Sequence, residues 1–203
     1  MCHDRRMRLV LLSLFLALPA SAATLEMRYL RSENLHIANQ RGAINWHDEL
    51  TLTLDLQATG NLVGRESGRT REYNLYVRGT SSYTTEEIRQ WTHHWSGTWK
   101  QTGSKLALDV VLDDRKCSHT KKPSNGKIEQ LACGKVSPKI HFDCRSTQVT
   151  LMGPPASPVK RDVWQCLPAG KVDLDRTPTP WTFGKPSCVR MLGGRAGLAY
   201  EPC

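Results

Sequence analysis

Beyond residue 24 the chain holds six cysteines, Cys117, Cys133, Cys144, Cys166, Cys188 and Cys203, all of them in its second half. No other feature constrains the fold as much. An even number of cysteines in an exported chain implies three disulfides and a loop-rich, stapled region around them. A loop the size of Cys117 to Cys133 closed in this way contributes about 3 kcal/mol in the chain-entropy model. The spacing does not choose among the pairings.

Export is read from the first 22 residues. Arg5, Arg6 and Arg8 precede the apolar run Leu9 to Leu18, and Pro19-Ala20-Ser21-Ala22-Ala23 follows with small-x-small spacing. That is a signal peptide cleaved after Ala22, and Cys2 leaves with it. The run is too short for a bilayer span, which needs roughly 20 residues. The expected location is periplasmic or extracellular, soluble after cleavage, with no transmembrane segment in the mature chain. The roughly 180 residues that follow suit a single domain, 23–203, that buries about 70% of its unfolded surface.

Charge divides that domain. From Thr24 to Asp114 there are 10 Lys+Arg against 12 Asp+Glu; from Arg115 to Cys203 there are 15 against 6. A near-neutral, cysteine-free part (23–114) thus precedes a basic, disulfide-rich part (115–203). Cationic surfaces seek anionic partners. The densest cluster is Arg115, Lys116, Lys121, Lys122, Lys127, Lys135, Lys139 and Arg145, opposed only by Glu129 and Asp143. It is the candidate anion-binding surface. A smaller set, Arg65, Arg69, Arg71 and Arg78, is diluted by Glu66 and Glu72. Segment 115–145 has one aromatic residue, Phe142, too few for the stacking that nucleic-acid binding requires, so no nucleic acid is expected as partner.

Periodicity is mainly that of strands. Leu50, Leu52, Leu54 and Leu56 alternate with polar residues, and Thr59-Gly60-Asn61 turns the chain. Tyr73, Leu75 and Val77 alternate in the same way. Residues 95–101, Thr102-Gly103-Ser104 and 105–110 read as a hairpin. Asn125-Gly126 is a hairpin-turn signal, with Cys117 and Cys133 on the facing arms. Ile140, Phe142 and Cys144 alternate on a further strand. One short helix is expected from Thr85 to about His93, because Thr84-Thr85-Glu86-Glu87 forms a capping box ahead of Ile88 and Trp91. It would pack as a lid over a sheet edge or barrel end. Gly153 to Pro158 reads as a polyproline-like connector.

Gly97-Thr98-Trp99 in a strand, followed by Gly103 and alternating leucines, resembles the Gly-x-Trp strand of lipocalin-like barrels. The likeness covers some 20 residues and falls on a later strand than in lipocalins. It implies a meandering antiparallel sheet curled around an apolar interior. The expected fold is therefore mainly β, an antiparallel sandwich or partly open barrel with one short helix and a stapled C-terminal half.

Chemistry is sparse. No nucleophile elbow, metalloprotease helix, Walker loop or dinucleotide fingerprint occurs, so the chain reads as non-enzymatic with no cofactor. Cys117-Ser118-His119 and His141-Phe142-Asp143-Cys144 lack zinc-module spacing, and disulfides outcompete metal in an oxidising compartment; no metal is expected. His93 and His94 diverge from one another as neighbours must. Trp91, Trp95 and Trp99 are core residues or, alternatively, a candidate apolar pocket. Asp113-Asp114 reads as a turn and Asp173-Leu174-Asp175 as part of a proline-rich loop. The expected function is docking of an anionic envelope component or an acidic protein through the cationic face. The alternatives are a lipocalin-like carrier, an inhibitor or immunity-type protein of a secreted enzyme, and a hydrolase whose site is assembled from residues distant in the sequence.

Overall fold

The computed structural model describes residues 22–37, 42–151, 159–175, 177, 179–184, 187–191 and 198–202. Residues 1–21, read above as most of a signal peptide, the 153–158 stretch read as a connector, the side chain of Cys188 and all of Cys203 lie outside them. Five long strands run as an antiparallel meander: β1 (Ala23–Ile37), β2 (Gly42–Leu56), β3 (Asn61–Arg78), β4 (Ser81–Thr102) and β5 (Lys105–Pro123). Gly60 and Gly103 turn it at φ 85° and 59°, the left-handed region that glycine occupies without strain. Then come β6 (Glu129–Gln130), β7 (Lys139–Leu151), β8 (Val159–Pro168), β9 (Trp181–Phe183), β10 (Ser187–Met191) and β11 (Leu198–Pro202).

The sheet curls back on itself. One edge of β5 pairs β7 through residues 105–111 and β6 through 120–121. β7 pairs β8, and β8 pairs β9. The chain beside β9 then meets β1, where Gly184 N–H donates to the Glu26 carbonyl at 3.1 Å. Parallel β1–β10 and a single β11–β7 pairing extend the wall. The result is an antiparallel sheet nearly closed into a barrel, which leaves few free edges.

No helix occurs among the described residues. The segment read as a helix, Thr85 to His93, is the middle of β4, paired on both sides with β3 and β5. Its inward residues before Trp91 are Thr85, Glu87 and Arg89, so the alternation carries no apolar signature. The local capping pattern is overridden by two full ladders. On β3 the same inversion holds: the buried residue of the 73–77 stretch is Asn74, and Tyr76, next along the same face, is exposed.

The interior has two characters. Around one end, Leu54, Leu56, Leu62, Trp99, Leu106 and Leu108 pack together. At the centre Trp181 is stacked on Phe142, with ring centroids 4.0 Å apart, and meets Trp95 and Phe183 edge-on at 6.0 and 6.1 Å. Each such pair is worth about 0.5–1.5 kcal/mol beyond burial. The other end is polar. Two disulfides lie in the C-terminal half, Cys117–Cys133 and Cys144–Cys166. The first joins β5 to the segment after β6, as the facing-arm reading required. The second crosses directly between paired residues of β7 and β8.

Candidate functional site

The polar end is built by one register. β3 carries Gly64-x-Glu66-x-Gly68, and β4 carries Trp91-x-His93-x-Trp95. In the ladder Gly64 opposes Trp95, Glu66 opposes His93, and Gly68 opposes Trp91. The glycines are needed for space: a Cβ on Gly68 would lie 2.1 Å from the Trp91 ring, and one on Gly64 would lie 2.4 Å from Leu54 Cδ2. The Trp91 indole therefore lies over Gly68, and both indoles point their N–H groups at the residue between the glycines. Trp91 Nε1 donates to Glu66 Oε1 at 2.7 Å and Trp95 Nε1 to Glu66 Oε2 at 3.3 Å.

His93 stands between two carboxyl groups. Its Nδ1 is 3.2 Å from Glu66 Oε2 and its Nε2 is 3.2 Å from Asp175 Oδ2. All three side chains are 0% exposed. Burial disfavours the imidazolium, but the hydrogen bonds to Asp175 and Glu66 outweigh it and push the His93 pKa up to about 9. Burial likewise acts to raise the Asp175 pKa, and the hydrogen bonds from His93 and Arg115 overcome it, so that its carboxyl is held below the usual range.

Two devices complete the cluster. The first is a β-bulge where the β4–β5 register shifts between His94 and Trp95: Leu112 opposes Trp95, Asp114 opposes His94, and Asp113 is extra. The bulge reverses the alternation of β5, so that Arg115, Cys117 and His119 turn inward after Leu106, Leu108 and Val110. Arg115 donates to Asp175 Oδ2 through Nε at 2.9 Å and Nη2 at 2.5 Å, and its Nη2 also reaches the Gly134 carbonyl. The second device is the connection between β8 and β9. It carries Asp175 into the barrel end, and Thr177 donates its hydroxyl to Glu66 Oε1. This strap is tied in turn to the segment stapled by Cys133, through Ser137 N–H to the Asp173 carbonyl at 2.8 Å.

Chemically this is a buried ionic plug. Glu66 accepts from two indoles, a hydroxyl and an imidazole, and no member of the trio reaches solvent. It can hold charge and fasten the strap; it cannot meet a substrate. Sequence reading missed it: Glu66 looked like a surface charge diluting an arginine set, and Asp175 like part of a loop. The signal available was the matched pair Gly-x-Glu-x-Gly and Trp-x-His-x-Trp at strand spacing.

The expected site residues are placed as follows. Trp91, Trp95 and Trp99 are buried and fill space in the core; Trp91 also floors an outer groove with Gly68, rimmed by Arg69 and Lys116. The cationic cluster does not form one platform. Arg115 is inside. Lys121 opposes Glu87 and Glu129, and Lys122 opposes Glu86. Lys116, Lys122, Lys127, Lys135 and Lys139 are exposed, and Arg145 lies toward the opposite, apolar end. Cys117 and Cys144 are oxidised, and His119 faces Glu87 at 2.6 Å and the Ala132 carbonyl at 3.1 Å. His94 turns outward beside Asp114. No group of side chains suited to a metal ion occurs among the described residues. Nor is any helix among them long and apolar enough to cross a membrane.

Comparison with family models, with curated proteins and with solved structures found no match for this chain. The fold and the plug define it as a nearly closed antiparallel barrel with a charged, buried end.

Proposed function

We propose that this chain is an exported, non-enzymatic binding protein whose outer wall docks an anionic envelope component. One observation carries the reading. Lys116, Lys122, Lys127, Lys135, Lys139 and Arg145 are all exposed, and none is in an ion pair among the described residues. Arg28, Arg31, Arg71, Arg89 and Arg115, by contrast, are each held by a carboxylate. Unpaired exposed cations set a protein's encounter with anions. The interior supports the same reading, since Trp181, Phe142 and the ionic plug fill it and leave a partner the outside. The basic leader and the disulfides support export, because disulfides persist in oxidising compartments.

The test is co-sedimentation of the disulfide-intact protein with phosphatidylglycerol vesicles, against phosphatidylcholine, over a range of salt. Binding to the anionic vesicles alone is expected, falling steeply as salt rises. The double variant Lys122→Glu, Lys127→Glu should weaken it severalfold. Binding that ignores salt refutes the proposal.

A further inference from the structure

The outer wall carries one concave cluster of cations, distinct from the plug. On the outward face Lys105 of β5 directly opposes Arg145 of β7, and Lys100 of β4 directly opposes Ala107. Ala107 lies two residues along from Lys105, and its methyl group is small. The longer side chains of Lys100, Lys105 and Arg145, with Thr102 and Asp143, rise around it and line an open pocket of about 390 Å³.

Two facts set this cluster apart. Like charges directly opposite on neighbouring strands are destabilising. Elsewhere among the described residues no two Lys or Arg side chains oppose directly in the sheet: Arg31 faces Asp48, Arg69 faces Glu49, Lys121 faces Glu87 and Lys122 faces Glu86, while Arg65, Arg71 and Arg89 face the histidines His94, His47 and His119. His93 also opposes a cation, Arg115, and there the Asp175 carboxylate lies between the two and bonds both. Among the described residues no carboxylate does this for Lys105 and Arg145. The nearby acids, Asp109 and Asp143, are turned to His141 at 2.7 and 3.7 Å, and neither pairs with the three cations.

We propose that Lys100, Thr102, Lys105 and Arg145 form a binding site for a phosphomonoester dianion. Three cations less the carboxylate of Asp143, which directly opposes Ala107 and lines the same pocket, leave a local charge that a dianion cancels and a diester monoanion only halves. Arg145 supplies a planar fork for two oxygens, the lysines supply point charges, and the Thr102 hydroxyl adds a further donor. A phosphomonoester is mostly dianionic at neutral pH, since its second pKa is about 6. The inference rests on the anion-docking reading and narrows its ligand.

The experiment compares vesicles containing phosphatidic acid, a monoester headgroup, with phosphatidylglycerol vesicles of matched surface charge. The protein should bind phosphatidic acid about tenfold more tightly, the size of one charge-assisted contact. Ala107→Leu, which fills the cavity without changing charge, and Arg145→Gln should each remove that preference and leave much of the phosphatidylglycerol binding. Lys122→Glu with Lys127→Glu should weaken both lipids alike. Calorimetric titration with inorganic phosphate separates the sources: saturable binding abolished by Ala107→Leu assigns the site to free phosphate as well, and binding to phosphatidic acid alone assigns it to the headgroup. Equal affinity for the two lipids, indifferent to Ala107→Leu and without saturable phosphate binding, overturns the site and leaves anion docking standing. Loss of all anionic binding overturns both.

Discussion

His93 makes the stability of this barrel depend on pH in a direction opposite to acid denaturation. Its pKa is about 9 in the folded chain against 6.5 for a free histidine. At 1.36 kcal/mol per pKa unit the difference is about 3 kcal/mol of stability. Because the folded pKa is the raised one, this contribution is fully present below pH 6.5. It declines between 6.5 and 9 and is gone above. Asp175, whose folded pKa is lowered, acts on the other side: its contribution is present above pH 3.8 and lost as pH falls further. Stability should therefore be greatest between about pH 4 and 6.5. The assay is urea unfolding of the disulfide-intact protein at pH 6 and pH 9.5, with the His93→Gln variant as the non-titrating reference. That variant leaves the buried Glu66 without its cation and Asp175 with its arginines alone, and should lose about 3–5 kcal/mol at pH 6. Its further loss on going to pH 9.5 should be smaller than that of the wild type by about 3 kcal/mol. An NMR titration of the wild-type imidazole gives the same answer without any variant, since the ring should stay doubly protonated past pH 8. Parallel pH profiles for the two proteins, or a neutral His93 ring at pH 7.5, would refute the reasoning.

Other perturbations probe the parts separately. Gly68→Ala places a methyl group inside the Trp91 ring contact and should cost about 1–3 kcal/mol with a shift in tryptophan emission; an unchanged urea midpoint contradicts the close approach. Arg115→Gln removes the strongest tie on Asp175 and should expose the 169–180 strap to limited proteolysis ahead of the strands, with a loss of about 3 kcal/mol. Cleavage no faster than in the wild type argues against the strap being held there. Replacing Cys144 and Cys166 by alanine opens a link of sequence separation 22 and should lower stability by about 3 kcal/mol, read from thermal unfolding.

Much of the architecture is local and therefore legible. Leu50 to Leu56, and Ile140 to Cys144, announce strands because one face is apolar and the other polar. Gly60, Gly103 and Asn125-Gly126 announce turns because of the backbone angles such positions need. The even count of cysteines announced disulfides, and the hairpin reading put Cys117 beside Cys133. The failure at Thr85 to His93 has a definite cause. A strand whose inward face carries Thr85, Glu87, Arg89 and His93 has no apolar alternation to detect, and a capping motif is then the only local signal left.

What the chain determines alone is most of its strand content, its turns, its cysteines and the gathering of positive charge in its second half. These follow from neighbours a few residues apart. The buried site depended on closure. Glu66 and His93 are 27 residues apart, Arg115 and Asp175 60, and His93 and Asp175 82. A polar strand face reads identically whether it meets water or the inside of a barrel; only the curling of the sheet decides which. The bulge at Asp113 then decides that Arg115 joins the interior and leaves the surface cluster to which its neighbours in sequence belong.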